Sequence, residues 1–172
     1  MDKRRNRGWI WFFVVLVVLT LAAIIIQLCY NPWQSLTPQK LEDAYQLWRE
    51  KGPHDYDLTY MTKGSVSGEY FIQVRGGKAI YGTYNGQPLE REQAKYHTMS
   101  ALFDYIKRFL DMDAEAGIRT SNLAMFDSQD GHLLRYFRRV SGSQQPGSQQ
   151  HVEITVKNLH PAAVNPGEPS SK

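Results

Sequence analysis

Hydrophobic positions along this chain fall into three kinds of pattern: one unbroken run, stripes of helical period and stretches of strict alternation. The unbroken run is Trp9 to Ile26, eighteen residues without a charge. A helix rises about 1.5 Å per residue, so with Gln27 to Tyr30 the run covers roughly the 30 Å of a bilayer's hydrocarbon. It predicts a transmembrane signal anchor over 9–30, behind a basic tail at 1–8. Helical period follows a linker over 31–37. Thr37-Pro38 reads as N-cap and first helical residue, Leu41, Ala44, Tyr45 and Trp48 make one stripe, and Gly52-Pro53 supplies the stop.

From Asp55 the period becomes two. Tyr56, Leu58 and Tyr60 alternate with polar neighbours, Gly64 to Gly68 turns the chain, and Tyr70, Ile72 and Val74 resume the alternation. Gly76-Gly77 leads into Lys78 to Tyr84, where Asn85-Gly86 closes the strand and Pro88 discourages further pairing. Glu90 to Tyr96 fits neither template and reads as a loop with one helical turn. Thr98 caps a second helix with Met99, Leu102, Phe103, Ile106, Phe109 and Leu110 on one face. After an irregular Asp113 to Ser121, strands are expected at Leu123 to Asp127, His132 to Val140 and His151 to Leu159, the last two separated by a polar loop. The order helix, three strands, helix, three strands predicts an α+β domain at 38–159, its two amphipathic helices covering one face of an antiparallel sheet. The repeated order also fits a diverged duplication, though identity between the halves is too low to assert one. Residues 160–172, with three prolines and no apolar period, read as a disordered tail.

Charge gives the anchor a direction. Lys3, Arg4, Arg5 and Arg7 precede the apolar run and no Lys or Arg follows it until Lys40, which holds the N-terminus in the cytoplasm and exports the rest. The tail takes four of the twenty basic residues and one of the seventeen acidic ones, so the exported part is neutral and gives no sign of a nucleic-acid partner. The bilayer is the partner expected for Trp9 to Tyr30. A cleaved signal would have a shorter core and a small-residue site, whereas this core ends in Ile-Gln-Leu-Cys-Tyr. A lipoprotein signal would place a small residue before Cys29, where Leu28 stands. Cys29 is the only cysteine, so the exported domain has no disulfide.

Candidate chemistry is sparse, and no cofactor is expected. His54, His97, His132, His151 and His160 show no i, i+4 pair and no cysteine partner, so no zinc site is read. Asp111, Asp113 and Glu115 before Gly117 resemble the start of a calcium loop, but the glycine falls at position seven and position twelve is Asn122. Asp127 to Gly131 is explained by a hairpin corner as well as by a cation. Ser65 and Ser67 do not fit G-x-S-x-G, since Val66 is central. The most suggestive polar feature is the cluster Arg135, Arg138 and Arg139. Alternation puts Arg135 and Arg139 on one side with Leu133 and Phe137, a mixed apolar and cationic face that makes Arg135, Phe137 and Arg139 a candidate partner-binding surface. Salt bridges from these cations to Glu153 on a neighbouring strand are the competing explanation.

Several short pieces stand in order along the chain: Gly52-Pro-x-Asp55-Tyr-Asp57-Leu, Val74-Arg-Gly-Gly-Lys78, Asn85-Gly-x-Pro-Leu89, Tyr96-x-Thr-Met-x-x-Leu-Phe-Asp-Tyr-Ile106, Phe126-Asp127 and Tyr136-x-Arg-Arg-Val140. In that order the chain resembles an uncharacterised bacterial family of anchored or secreted envelope proteins, known only as a domain of unknown function. The resemblance implies an exported α+β domain and no established catalytic residues. The expectation is a non-catalytic, membrane-anchored extracytoplasmic module that binds an envelope protein or serves a structural role. The alternatives are a small extracytoplasmic hydrolase and an assembly factor that takes up a partner strand at its sheet edge. A deep pocket lined by histidine or carboxylates would favour the hydrolase.

Overall fold

A computed structural model describes residues 9, 11–21, 34–64, 66–117, 119–141 and 151–162. It divides the chain into two units, Met1–Trp33 and Gln34–Lys172. In the first, residues 11–21 are helical and Trp11, Phe12, Val15 and Leu19 are exposed. Among the described residues no helix is long and apolar enough to cross a membrane. The expected anchor lies partly outside them, as do the basic tail and Cys29.

In the second unit each predicted helix starts where its cap places it. Helix α1 (Pro38–Lys51) has Thr37 Oγ1 accepting the Lys40 N–H at 3.3 Å, and Leu41, Ala44 and Trp48 are buried. The chain then makes strands β2 (Tyr56–Gly64), β3 (Gly68–Arg75) and β4 (Lys78–Tyr84), followed by a short helix α2 (Arg91–Ala94) and a 3-10 turn (Lys95–His97). Helix α3 (Met99–Glu115) is capped by Thr98, whose Oγ1 accepts the Ala101 N–H at 3.2 Å. Strands β6 (Thr120–Phe126), β7 (Leu133–Val140) and β8 (His151–Pro161) follow, and two-residue strands β1 (Gln34–Ser35) and β5 (Gln87–Pro88) complete an eight-stranded antiparallel sheet. Its order is β1-β6-β7-β8-β2-β3-β4-β5, so β8 pairing with β2 joins the two meanders.

Period-two alternation decides which side of that sheet is dry. Leu58, Tyr60, Ile72, Val74 and Ile154 point inward onto Met99, Phe103 and Ile106 of α3 and Leu41 and Trp48 of α1. Each such aliphatic side chain stabilises the fold by about 1.5–3 kcal/mol on burial. The other face carries cross-strand ion pairs instead, Arg75 with Asp57 at 2.8 Å and Lys157 with Glu69 at 2.7 Å. The fold class is therefore α+β with an antiparallel sheet.

Several boundaries differ from the expectation. Part of the expected linker forms β1, because Gln34 and Ser35 pair with Ala124 and Leu123 and so cover the edge of β6. Pro88 does pair, opposite Thr83, where an outermost strand needs no second N–H partner. His160 and Pro161, assigned to the tail, extend β8 opposite Asp57 and Tyr56, and the Ala162 N–H donates to Asp55 O at 2.9 Å. Residues 163–172 and 142–150 lie outside the described residues. Helix α3 runs through Asp113 to Glu115, so Asp111, Asp113 and Glu115 form no calcium loop. Equivalent strands of the two halves, β2 and β6, run in opposite directions and occupy unlike places in the sheet, which gives a duplication no support.

Candidate functional site

Three tyrosines occupy matching inward positions on neighbouring strands, Tyr60 opposite Tyr70 and Tyr70 opposite Tyr84. Side chains directly across an antiparallel pair stand close enough to interact. Tyr60 and Tyr70 stack at 4.9 Å between centroids and Tyr70 and Tyr84 tilt together at 4.8 Å. The 3-10 turn before the Thr98 cap lays His97 on this ladder. Its ring stacks on Tyr70 at 4.2 Å, and its Nδ1 lies 2.5 Å from the Tyr60 hydroxyl.

Beside these rings is a half-open cavity of about 190 Å³. Leu102, Val152 and Ile154 supply apolar wall, and Thr62 and Lys63 contribute from the end of β2. Val66, Tyr96 and Tyr105 also line it, and each is exposed. Those three are half of the six large hydrophobics exposed among the described residues of this unit, the others being Ile80, Tyr81 and Met112. Apolar groups left in water around a concavity are the usual mark of a binding site.

Electrostatics keeps the interior uncharged. Burial pushes the Tyr60 phenol well above its ordinary range, with Tyr70 and Tyr105 adding to the effect. Burial likewise raises Tyr70, and it lowers His97 below the ordinary imidazole value. The Tyr60 hydroxyl and His97 Nδ1 share one hydrogen bond, which engages a single nitrogen of the neutral ring. Among the described residues no hydrogen bond engages its Nε2. An NMR titration of His97 should give a midpoint below about 6.5, the unperturbed imidazole value. As pH falls through that value the unfolded chain gains a proton that folded His97 resists, so this contribution to stability declines on acidification.

No known family model, curated protein or solved structure matches the chain.

The residues singled out in the sequence lie elsewhere. Arg135, Phe137 and Arg139 share the outer face of the sheet, opposite the cavity. Leu133 does not join them, as the alternation had required, but is fully buried. A bulge inserts Leu134 between Leu133, the partner of Phe126, and Arg135, the partner of Met125, which reverses the strand's parity there. Arg135 Nε and Nη2 donate to Glu153 Oε1 at 3.0 and 2.5 Å, with Lys63 Nζ 3.8 Å from the same carboxylate. Phe137 packs edge-on against His151 at 4.9 Å. Part of that cationic face is thus neutralised by cross-strand pairing.

Arg138 has the opposite parity and is buried. It grips Asp113 of α3 through Nη2 and through Nε at 2.9 Å, and lies 4.7 Å over the Phe109 ring. Asn122 Nδ2 reaches Asp113 at 3.3 Å, and the Tyr136 hydroxyl donates to Asn122 Oδ1 at 2.8 Å. Asp127, Asp130 and His132 hold their ligand atoms within 4.8 Å of one another. The hairpin itself uses those oxygens: Asp127 Oδ1 accepts the Gln129 N–H at 2.7 Å, and Asp130 Oδ1 accepts the His132 N–H at 3.0 Å.

Proposed function

We propose that the chain is a membrane-anchored, extracytoplasmic, non-catalytic binding module whose ligand enters the cavity beside Tyr60, Tyr70 and His97. The observation that carries this reading is the coincidence of the cavity with exposed Val66, Tyr96 and Tyr105. Among the described residues its wall contains one histidine and no carboxylate. The anchor rests on the uncharged run from Trp9 to Ile26 behind four basic residues, and membership of the envelope family rests on the order of the motifs.

A small extracytoplasmic hydrolase is the second reading, and His97 is what favours it. Nucleophilic catalysis needs a hydroxyl or thiol within hydrogen-bond reach of its base. Among the described residues lining the cavity Thr62 supplies the aliphatic hydroxyl, and its Oγ1 donates to Gly68 O, 3.5 Å away. Neither sheet edge favours strand uptake, since β1 and β5 each span two residues and α2 packs beside β4.

Topology is tested by fusing a reporter behind Lys172. Phosphatase activity outside the cytoplasm, with the protein retained in the membrane after carbonate washing, is the expected outcome; a reporter active only in the cytoplasm refutes it.

A further inference from the structure

The size, shape and charge of the cavity narrow its ligand, on the premise that the chain is a binding module. An engineered pocket of ~150 Å³ takes up one benzene, so about 190 Å³ matches a single ring with a small substituent. The exposed rings of Tyr96 and Tyr105 beside the buried Tyr70 suit offset or edge-on aromatic packing, which adds about 0.5–1.5 kcal/mol per pair. Lys63 is the charged residue among the described lining, but its Nζ stands 3.8 Å from Glu153 on the outer face, and Lys95 beside the Tyr96 ring is paired with Glu92, so neither leaves an unpaired charge at the wall. A cationic ligand would lose its water there with no carboxylate in the wall to replace it. His97 also lines the wall, and its Nε2 has no hydrogen-bond partner among the described residues.

We propose that the cavity receives one uncharged aromatic ring bearing a hydroxyl, a phenol, whose polar end meets His97 and whose body packs between Tyr70, Leu102 and Tyr105. The same chemistry is carried by a free phenol and by the tyrosine side chain of a partner polypeptide.

The test uses the full chain in lipid nanodiscs with 3-fluorotyrosine incorporated, read by fluorine NMR. Added p-cresol should shift the resonances of Tyr70, Tyr96 and Tyr105 saturably while leaving Tyr45 of α1 in place. Benzylammonium, the same size but charged, should bind about tenfold more weakly or worse. Val66→Trp, on an exposed turn where folding is not at stake, should close the mouth and abolish the p-cresol shifts. An N-acetyl-Gly-Tyr-Gly-amide peptide binding more tightly than p-cresol assigns the site to a protein partner, and p-cresol alone assigns it to a small molecule. The proposal is overturned if neither probe shifts these tyrosines, if Val66→Trp leaves the shifts intact, or if benzylammonium binds equally. None of those results touches the anchored-module reading, which the reporter fusion decides separately.

Discussion

Arg138→Met should cost the α+β domain about 3–5 kcal/mol, the usual consequence of leaving one member of a buried ion pair without its partner. Thermal unfolding followed by circular dichroism should show the midpoint falling by on the order of 10 °C or more. The size of the effect follows from geometry. The two side chains are 6% and 7% exposed, and among the described residues Arg138 is the one cation bonded to the Asp113 carboxylate, with Asn122 adding a neutral donor. The pair fastens the C-terminal end of α3 to β7, while the cavity lies along the earlier turns of the same helix.

Pairing Asp113→Leu with Arg138→Met removes both charges and should recover most of the loss, since apolar replacements of buried ion pairs are often neutral or better. If the double variant is no more stable than Arg138→Met, the charge-burial explanation fails. Acid gives an independent reading of the same contact. Burial alone would raise the Asp113 carboxyl, but hydrogen bonds from Arg138 and Asn122 and the Arg138 charge outweigh it and hold it below the usual carboxylate range. A carboxyl lowered by folding contributes stability that is fully present above its unfolded value near about 3.9 and is lost as pH falls through the folded value. The double variant should lack this share of the acid sensitivity.

Local signals set most of the fold, and distance in sequence hid most of the site. Thr37-Pro38 with Gly52-Pro53 bounded α1 because cap and stop are chemistry of adjacent residues, and Thr98 did the same for α3. Inward positions at Tyr60 and Tyr70 were legible from alternation. The cavity was not, because its wall draws on β2, β3, the 3-10 turn, α3 and β8, and only the β8–β2 pairing closes it. His97 looked like one of five scattered imidazoles, yet a tyrosine at inward positions 60, 70 and 84 of successive strands was a signal that an aromatic wall lay there. Arg138 was grouped with Arg135 and Arg139 by proximity. Its parity already placed it on the other side of the strand, where only a carboxylate could accommodate it.

Gly131→Val should be comparably damaging, although Gly131 stands at an ordinary hairpin corner. Its φ of +78° is a left-handed conformation that costs an L-residue about 1–2 kcal/mol. A second cost comes from across the domain: an added Cβ would stand 2.9 Å from Trp48 N and 3.0 Å from Leu47 Cβ, both on α1. Helical backbone cannot yield cheaply, and overpacking of this kind costs about 1–3 kcal/mol more. The corner itself is braced by the Gly131 N–H to Asp127 O at 3.0 Å and the Asp127 N–H to His132 O at 2.8 Å, so strain passes into the seating of Trp48 against Tyr56 and His132. Two controls separate the contributions. Gly77→Val adopts the same hand of φ, +71°, with nothing within 4 Å of the new Cβ, and should lose only the conformational share. Gly131→Asn tolerates that φ but still carries a Cβ, so in denaturant melts it should remain well below wild type; full stability in that variant would show that α1 leaves room and that the close approach is not what fixes the corner.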